Sequence, residues 1–161
     1  SFHLSDIGIN AKVIKRFEAD HVRGFRGYLK QYFKELWHKE FLKYKIETEG
    51  KNYKGKAYMI VIANAKRYGT GAVINPNGNP GDGMFELCII KDISFRGILI
   101  AFWSIFDNDA LARATNLKVI PCKQAVIQLS KKQIFQVDGE LIGDTKKLEI
   151  EIMPGVIQMI C

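Results

Sequence analysis

Residues 117–153 read LKVIPCKQAVIQLSKKQIFQVDGELIGDTKKLEIEIM, and this stretch decides the fold class. Short apolar runs separated by turn residues predict four consecutive strands, at 117–120, 125–129, 133–137 and 146–153. In the last of them Leu148, Ile150 and Ile152 alternate with charged residues, as in a strand with one buried face. Consecutive strands without intervening helices pair antiparallel, because parallel pairing needs long crossover connections. The stretch therefore predicts an antiparallel sheet.

Further strands are predicted on both sides of this stretch. They cover 44–48, 57–63 and 84–90 upstream, and 156–160 downstream after a turn at Pro154-Gly155. Residues 68–83 (YGTGAVINPNGNPGDG) are rich in glycine and proline and predict a long ordered loop or a pair of turns. The total of about eight or nine strands favours a β-sandwich or barrel.

The first forty-odd residues are predicted to be helical. Residues 11–19 form a short candidate helix, and residues 25–41 form a longer one with apolar residues at helical spacing. The opposite face of the longer helix is basic and carries Arg23, Arg26, Lys30, Lys34, Lys39 and Lys43. A third helix is predicted over 94–106, with Ser94 as its N-cap. The expected fold is α+β: a mostly antiparallel β-sandwich or barrel with an N-terminal helical segment.

The composition is that of a globular protein with excess positive charge. Its 161 residues suffice for one domain, expected to span residues 1–161. The net charge of +7 favours an anionic partner such as nucleic acid, a membrane surface or a phosphorylated ligand. No apolar run approaches the roughly 20 residues of a membrane span, and no secretory signal pattern opens the chain. The three cysteines, at 88, 122 and 161, lack metal-binding spacing and predict reduced thiols in a cytosolic protein.

Several common functional motifs are missing from the sequence. It contains no P-loop, no GxGxxG after a strand and no HExxH, and its three histidines show no metal-binding spacing. The aromatic residues of the longer candidate helix lie on its apolar face and not among its basic residues. Nucleic acid is therefore not an expected partner, because single strands are bound by exposed aromatics beside basic groups.

Two acidic turns are candidate sites. Residues 79–84 (NPGDGM) place Asp82 among glycines and backbone carbonyls, which can bind a hard cation such as Mg²⁺. The alternative is a turn in which the aspartate accepts local N–H bonds. Residues 137–140 (VDGE) bring two carboxylates close together, which can raise the pKa of one and prepare a general base. The alternative there is a hairpin turn with solvated acids.

A set of ordered segments resembles a known family. The segments are IGINAKVIKRFE (7–18), IVIANAKRYGTG (60–71), INPNGNPGDGMFELCII (74–90), FQVDGE (135–140) and IEIMPGVIQMI (150–160). In this order the chain resembles the C-terminal domain of the diacylglycerol kinase-like lipid kinases, the group that includes sphingosine and ceramide kinases. The resemblance covers nearly the whole chain.

The resemblance implies a two-domain enzyme with a fold like that of NAD kinases and phosphofructokinases. Its N-terminal domain would bind ATP through a GGDGT-type loop, which this sequence lacks, and its C-terminal β-sandwich would bind the lipid. We therefore expect the chain to be an excised C-terminal domain that is inactive alone. It would be the lipid-substrate half of an enzyme that transfers the γ-phosphate of ATP to a diacylglycerol-like hydroxyl.

The same resemblance assigns roles to both acidic turns. Glu140 matches the acid of the family's DGE motif, the proton acceptor, and Asp138 would help to set the position and pKa of that carboxylate. Asp82 matches a metal-binding aspartate, and backbone oxygens of Asn79 and Met84 would complete the ligands. The ion would be a structural or regulatory Mg²⁺, distinct from the Mg²⁺ that ATP carries.

A kinase of membrane lipids must reach an anionic interface, so we expect a cytoplasmic protein peripheral to the membrane. Candidate contacts are the helix face with Arg26, Lys30 and Lys34, or Lys51, Lys54 and Lys56 around a first hairpin, whose turn is predicted at residues 49–52. Two alternatives stay open: an NAD kinase-type enzyme acting on a soluble nucleotide, and a non-catalytic lipid-binding or regulatory module. The oligomeric state is also open, a homodimer included.

Overall fold

The computed structural model describes residues 4–8, 11–12, 40–66, 73–75, 78–93 and 115–155. The strands in these residues are β1 (Leu4–Gly8), β2 (Leu42–Thr48), β3 (Lys51–Ala57), β4 (Met59–Ala63), β5 (Phe85–Ile93), β6 (Thr115–Cys122), β7 (Gln124–Val137) and β8 (Glu140–Glu151). They form one sheet in the order β3-β2-β7-β1-β4-β5-β6, with β8 paired to β7. Every pairing is antiparallel, which confirms the predicted sheet type. No helix in the described part is long and apolar enough to cross a membrane.

The strand β7 organises the sheet. β8 pairs along one edge of β7, whereas the other edge is shared between β2, at residues 125–129, and β1, at residues 135–137. Between these two stretches the register with β8 shifts, from Gln128 to Gln133. Such irregularities bend a strand and increase its twist. One bent strand therefore serves two parts of the sheet.

The sheet curls until its two ends meet. The Lys118 ammonium group on β6 lies 4.1 Å from the ring centre of Tyr53 on β3, although these strands stand at opposite ends of the order. A buried apolar cluster fills the curl, and its members include Ile7, Ile46, Ile60, Leu87, Ile120 and Ile127. Burying each such side chain contributes roughly 1.5–3 kcal/mol. The prediction of a sandwich or barrel is confirmed in this form.

The strand β1 corrects the expectation that the first forty-odd residues are helical. Leu4–Gly8 is a fully buried strand that pairs with β4 on one side and β7 on the other. Five residues are too few to reveal a period, and their strand conformation depends on partners that are distant in sequence. Gly8, with φ 119°, ends β1 so close to Tyr58 that a Cβ would lie 2.3 Å from the Tyr58 carbonyl oxygen.

Most of the helical predictions concern residues outside the described part of the chain. This is the case for 94–106, for nearly all of 25–41 and for most of 11–19, and also for the predicted last strand at 156–160. Ala11 and Lys12 are helical, whereas Glu40 and Phe41 are not. The N-terminal helical segment therefore stays a prediction.

Candidate active site

The Asp138-Gly139 turn joins β7 to β8 as a two-residue hairpin loop. Val137 pairs directly with Glu140, and φ is 50° at Asp138 and 97° at Gly139. Two positive φ values are typical of a type I′ turn, and an Asp-Gly pair adopts it readily because glycine has no Cβ. The hairpin turn that the sequence offered as the alternative to a general-base site is thus present, and Glu140 begins β8 with its side chain exposed.

Two hydrogen bonds tie Asp138 to the start of β1. The Asp138 amide donates to the Leu4 carbonyl oxygen at 2.9 Å, and the Leu4 amide donates to Asp138 Oδ1 at 2.9 Å. One oxygen of the Asp138 carboxylate therefore holds the turn to the neighbouring strand. This contact fixes the backbone immediately before Glu140.

A buried polar pair lies beneath the turn. Gln136 Oε1 accepts a hydrogen bond from the Gly139 amide at 2.8 Å, and Gln136 Nε2 donates to Asp6 Oδ2 at 2.5 Å. Asp6 is 0% and Gln136 2% exposed. Groups buried this deeply are hydrogen-bonded because an unsatisfied one costs about 1–3 kcal/mol. Sequence reasoning missed both residues; the available signal was Gln136, a polar residue within the apolar run at 134–137.

The loop before β5 carries Asp82 in a local turn. Asp82 Oδ1 accepts from the Met84 amide at 2.9 Å, and the Asp82 amide donates to the Asn79 carbonyl oxygen at 3.2 Å. The side chain of Asn79 also accepts, from the Gly81 amide at 3.1 Å. The turn that the sequence offered as the alternative to a metal site is thus present.

The donor chemistry of this loop also suits a hard cation. Asp82 has a second carboxylate oxygen, and a carbonyl oxygen such as that of Asn79 keeps a lone pair after accepting one hydrogen bond. One carboxylate with the carbonyl oxygens of Asn79 and Met84 gives oxygen ligands of the type that Mg²⁺ prefers. Across the described residues, no group of three or more His, Cys, Asp and Glu side chains could hold a metal ion. A site here would therefore depend on backbone oxygens.

A second buried polar pair follows this loop. Asn75 Nδ2 donates to Glu86 Oε2 at 2.6 Å, with Asn75 0% and Glu86 7% exposed. Burial raises the pKa of Glu86, and the negative charge of Asp82 raises it further, whereas the Asn75 hydrogen bond lowers it. Sequence reasoning missed this pair too, although a glutamate inside the apolar strand FELCII was a visible signal.

The sheet register places both acidic turns at the same end of the neighbouring strands β1, β4 and β5. Leu4 on β1, Ala63 on β4 and Glu86 on β5 form one row across three neighbouring strands. At about 4.8 Å per strand, the row spans about 10 Å from Leu4 to Glu86. Asp138 is bonded to the Leu4 end, and the Asp82 loop enters β5 next to the Glu86 end. The sequence predicted both turns but not this placement.

The two described cysteines are buried, free thiols. Burial raises the pKa of Cys88 to about 12 and that of Cys122 to about 12. A thiol with so high a pKa carries almost no thiolate at neutral pH and is a poor nucleophile. Neither residue is a catalytic candidate, and Cys161 lies outside the described residues.

Comparisons with known proteins give a family and a set of structural relatives. Residues 5–161 match the family model described as the YegS C-terminal NAD kinase beta sandwich-like domain. A candidate diacylglycerol kinase from Bacillus anthracis str. Sterne has a TM-score of 0.66 at 20% identity, over 96% of this chain and 50% of that chain. A diacylglycerol kinase structure from the same organism has a TM-score of 0.59 at 15% identity, over 96% of this chain and 47% of that chain.

These likenesses show the fold, and the chain spans about half the length of the structures it matches. A search of curated protein sequences gave no match.

Proposed function

Because the chain belongs to the YegS C-terminal NAD kinase beta sandwich-like family, as its ordered segments predicted, we propose that it is the lipid-substrate half of an ATP-dependent lipid kinase. The enzyme transfers the γ-phosphate to the hydroxyl of a diacylglycerol-like lipid. The structures that share the fold are described as diacylglycerol kinases, and the chain covers about half of their length. ATP then binds mainly to a domain outside these 161 residues, and the chain alone does not transfer phosphate.

The single observation that carries this proposal is the fixed DGE turn. Glu140 is exposed directly after a two-residue loop that is bonded to β1 and to the side chain of Gln136. A carboxylate on a fixed backbone can accept the proton of a lipid hydroxyl while the hydroxyl oxygen bonds to the γ-phosphorus. The bond from that phosphorus to the β–γ bridging oxygen breaks, and ADP leaves.

Asp138, Gln136 and Asp6 position Glu140 in this proposal. Asp138 holds the turn to β1, and Gln136 holds the Gly139 amide while it is itself held by Asp6. Each of these contacts restricts the movement of the Asp138-Gly139 turn, which directly precedes Glu140. Such restriction matters because a proton acceptor must lie within hydrogen-bond reach of the hydroxyl, about 2.6–3.2 Å between heavy atoms.

Asp82, Asn79 and Met84 would hold Mg²⁺ in the loop before β5. When bound, the ion supplies positive charge that offsets Asp82 and the nearby Glu86. We propose a structural or regulatory role for it, because a turn held by local hydrogen bonds is already present at this position. The Mg²⁺ that accompanies ATP is a different ion.

A soluble acceptor is the second candidate, since the family description itself refers to NAD kinase. In that case the same Glu140 would serve a ribose hydroxyl. The net charge of +7 suits a phosphorylated nucleotide as well as an anionic membrane surface reached from the cytoplasmic side. The lipid is proposed first because the structures that share the fold are described as diacylglycerol kinases.

The test uses the full-length protein, γ-labelled ATP, and diacylglycerol in mixed micelles, with NAD as the competing acceptor. We expect label in the lipid and a loss of about 10²–10⁴ in rate for Glu140→Gln. Asp144→Asn is the matched control, because Asp144 is another exposed acid of β8. Unchanged transfer by Glu140→Gln would remove Glu140 from the reaction, and label in NAD alone would replace the lipid by a nucleotide.

A further inference from the structure

The outer face of the β2–β3 hairpin carries four lysines in two directly opposed pairs. Lys43 faces Lys56 and Lys45 faces Lys54 across the two strands, and all four side chains are exposed. We call these four residues the lysine face.

The register forces these like charges together. β2 buries Leu42, Tyr44 and Ile46, so its odd-numbered residues point outward. Directly opposed residues of an antiparallel pair project from the same side of the sheet, and like charges in such positions are destabilising. This hairpin has two such pairs in succession. A bound anionic partner would offset the repulsion between the paired lysines.

The lysines of the lysine face have no acidic partner within the described part of the chain, unlike the lysine of one exposed pair on β8. On β8, Lys147 forms an ion pair with Glu149 at 2.5 Å. Among the described residues, no ion pair joins any of the four hairpin lysines to an acid. The outward acid of β2 is Glu47, opposite Asn52, at the turn end of the hairpin. The other end of the hairpin is therefore uniformly positive.

An exposed aromatic ring borders the lysine face. Phe41 immediately precedes β2, is 43% exposed, and packs against the ring of Tyr58 with centroids 4.3 Å apart. Basic residues beside an exposed aromatic or aliphatic side chain are typical of protein surfaces that lie on a membrane interface. A nucleic acid is less well matched, because this ring is already packed on Tyr58 and is not free to stack a base on both sides.

We propose that the lysine face, with Phe41 at its border, contacts the anionic headgroups of a membrane. The proposal rests on the proposed function, because a lipid kinase must hold itself at the surface that contains its substrate. Of the two membrane contacts that the sequence suggested, the proposal chooses the hairpin and not the predicted helix at 25–41. Lys51, at the turn, is opposite Thr48 and lies outside the paired lysines.

The experiment measures retention of the full-length protein on sedimented vesicles. One set of vesicles is pure phosphatidylcholine and the other contains phosphatidylglycerol as the anionic lipid. The variant Lys45→Gln/Lys54→Gln removes one opposed pair. The matched control Lys66→Gln/Lys146→Gln removes the same charge from two exposed lysines that lie outside β2 and β3.

We expect retention on anionic vesicles only, a loss on the order of tenfold for Lys45→Gln/Lys54→Gln, and a change within about twofold for the control. Phe41→Ser should weaken retention without changing the net charge. Equal losses in the variant and the control would mean that bulk charge alone binds, and would overturn the proposal. Unchanged retention in the variant, or binding to a single-stranded oligonucleotide with no binding to vesicles, would also overturn it.

A Glu140→Gln protein separates this proposal from the catalytic one. It should bind anionic vesicles like the wild type while phosphate transfer is lost, because Glu140 lies at the far end of β7 from the residues that pair with β2. If vesicle binding depends on the lysine face but no lipid is ever labelled, the surface stands and the kinase proposal fails.

Discussion

The amide of Gly139 donates a hydrogen bond to the side chain of Gln136, three residues earlier in the chain, at 2.8 Å. Through this bond a buried side chain controls an exposed turn. Because Gln136 is also held by the fully buried Asp6, the turn before Glu140 is connected to the interior of the sheet. The position of Glu140, the proposed proton acceptor, is therefore restricted by the buried residues Gln136 and Asp6 as well as by the hairpin itself.

Replacing Gln136 by leucine should destabilise the protein and impair catalysis. Gln136→Leu removes the acceptor of the Gly139 amide and a donor to Asp6, so we expect a loss of about 1–3 kcal/mol in the free energy of unfolding, measured with urea. In the full-length enzyme kcat should fall with little change in KM, because the variant moves Glu140 and not the lipid. Gln128→Leu, an exposed position on the same strand, is the control. Equal effects of both variants would rule out a special role for Gln136.

The buried Glu86 should make stability depend on pH. Burial raises the pKa of Glu86 in the folded protein above the ordinary value of 4.5. At a pH between the ordinary pKa and the raised pKa, the native state therefore binds more protons than the unfolded state. The free energy of unfolding should therefore fall as the pH rises through this window. Glu86→Gln keeps an oxygen for the Asn75 amide and should abolish that fall. Urea titrations at several pH values measure it, with the exposed Glu47→Gln as control; an unchanged fall in Glu86→Gln would contradict the assignment.

The sequence predicted most of the sheet because its signals there are local. The alternation around Leu148 and the Asp138-Gly139 turn depend on neighbours in sequence, and both are confirmed. The strand Leu4–Gly8 was wrongly expected to be helical because its conformation comes from pairing with β4 and β7, more than fifty residues away.

The candidate site also combines residues with a local sequence signal and residues that depend on contacts between distant segments. Glu140 and Asp82 were predicted from short motifs, and their roles stay predictions, whereas Asp6, Gln136, Asn75 and Glu86 were not predicted. These four residues form hydrogen-bonded pairs between segments that only the fold brings together. A polar residue inside an apolar run marks Gln136 and Glu86 in the sequence, but it does not show which residue each one bonds, so the structure was needed to find the pairs.

Magnesium should stabilise the protein through Asp82. If the Asp82 loop holds Mg²⁺, saturating ion raises the thermal midpoint of the wild type, since a ligand at about 100 times its Kd adds about 2.7 kcal/mol. Asp82→Asn keeps an oxygen that can accept from the Met84 amide, so the turn survives while the charge is lost. The increase should disappear in this variant and persist in Asp144→Asn. Equal Mg²⁺ stabilisation of all three proteins would place the ion elsewhere.

Gly78 should tolerate no side chain. A Cβ at this position would lie 2.3 Å from Asn75 Nδ2, so Gly78→Ala must push Asn75 away from Glu86. We expect a loss of about 1–3 kcal/mol in the free energy of unfolding. Gly81→Ala in the same loop is the control, because its nearest neighbour, Asn79 Oδ1, would be 3.5 Å from the added carbon. A harmless Gly78→Ala would show that the loop does not close on Asn75.

The most direct measurement of the central claim is phosphate transfer by the full-length protein to a total lipid extract in vesicles. Wild type and Glu140→Gln are compared at equal concentration with γ-labelled ATP. The account predicts label in one lipid species with a free hydroxyl, and a decrease of about 10²–10⁴ in the Glu140→Gln protein. Label that persists undiminished in Glu140→Gln, or no label in any lipid from the wild type, would contradict it.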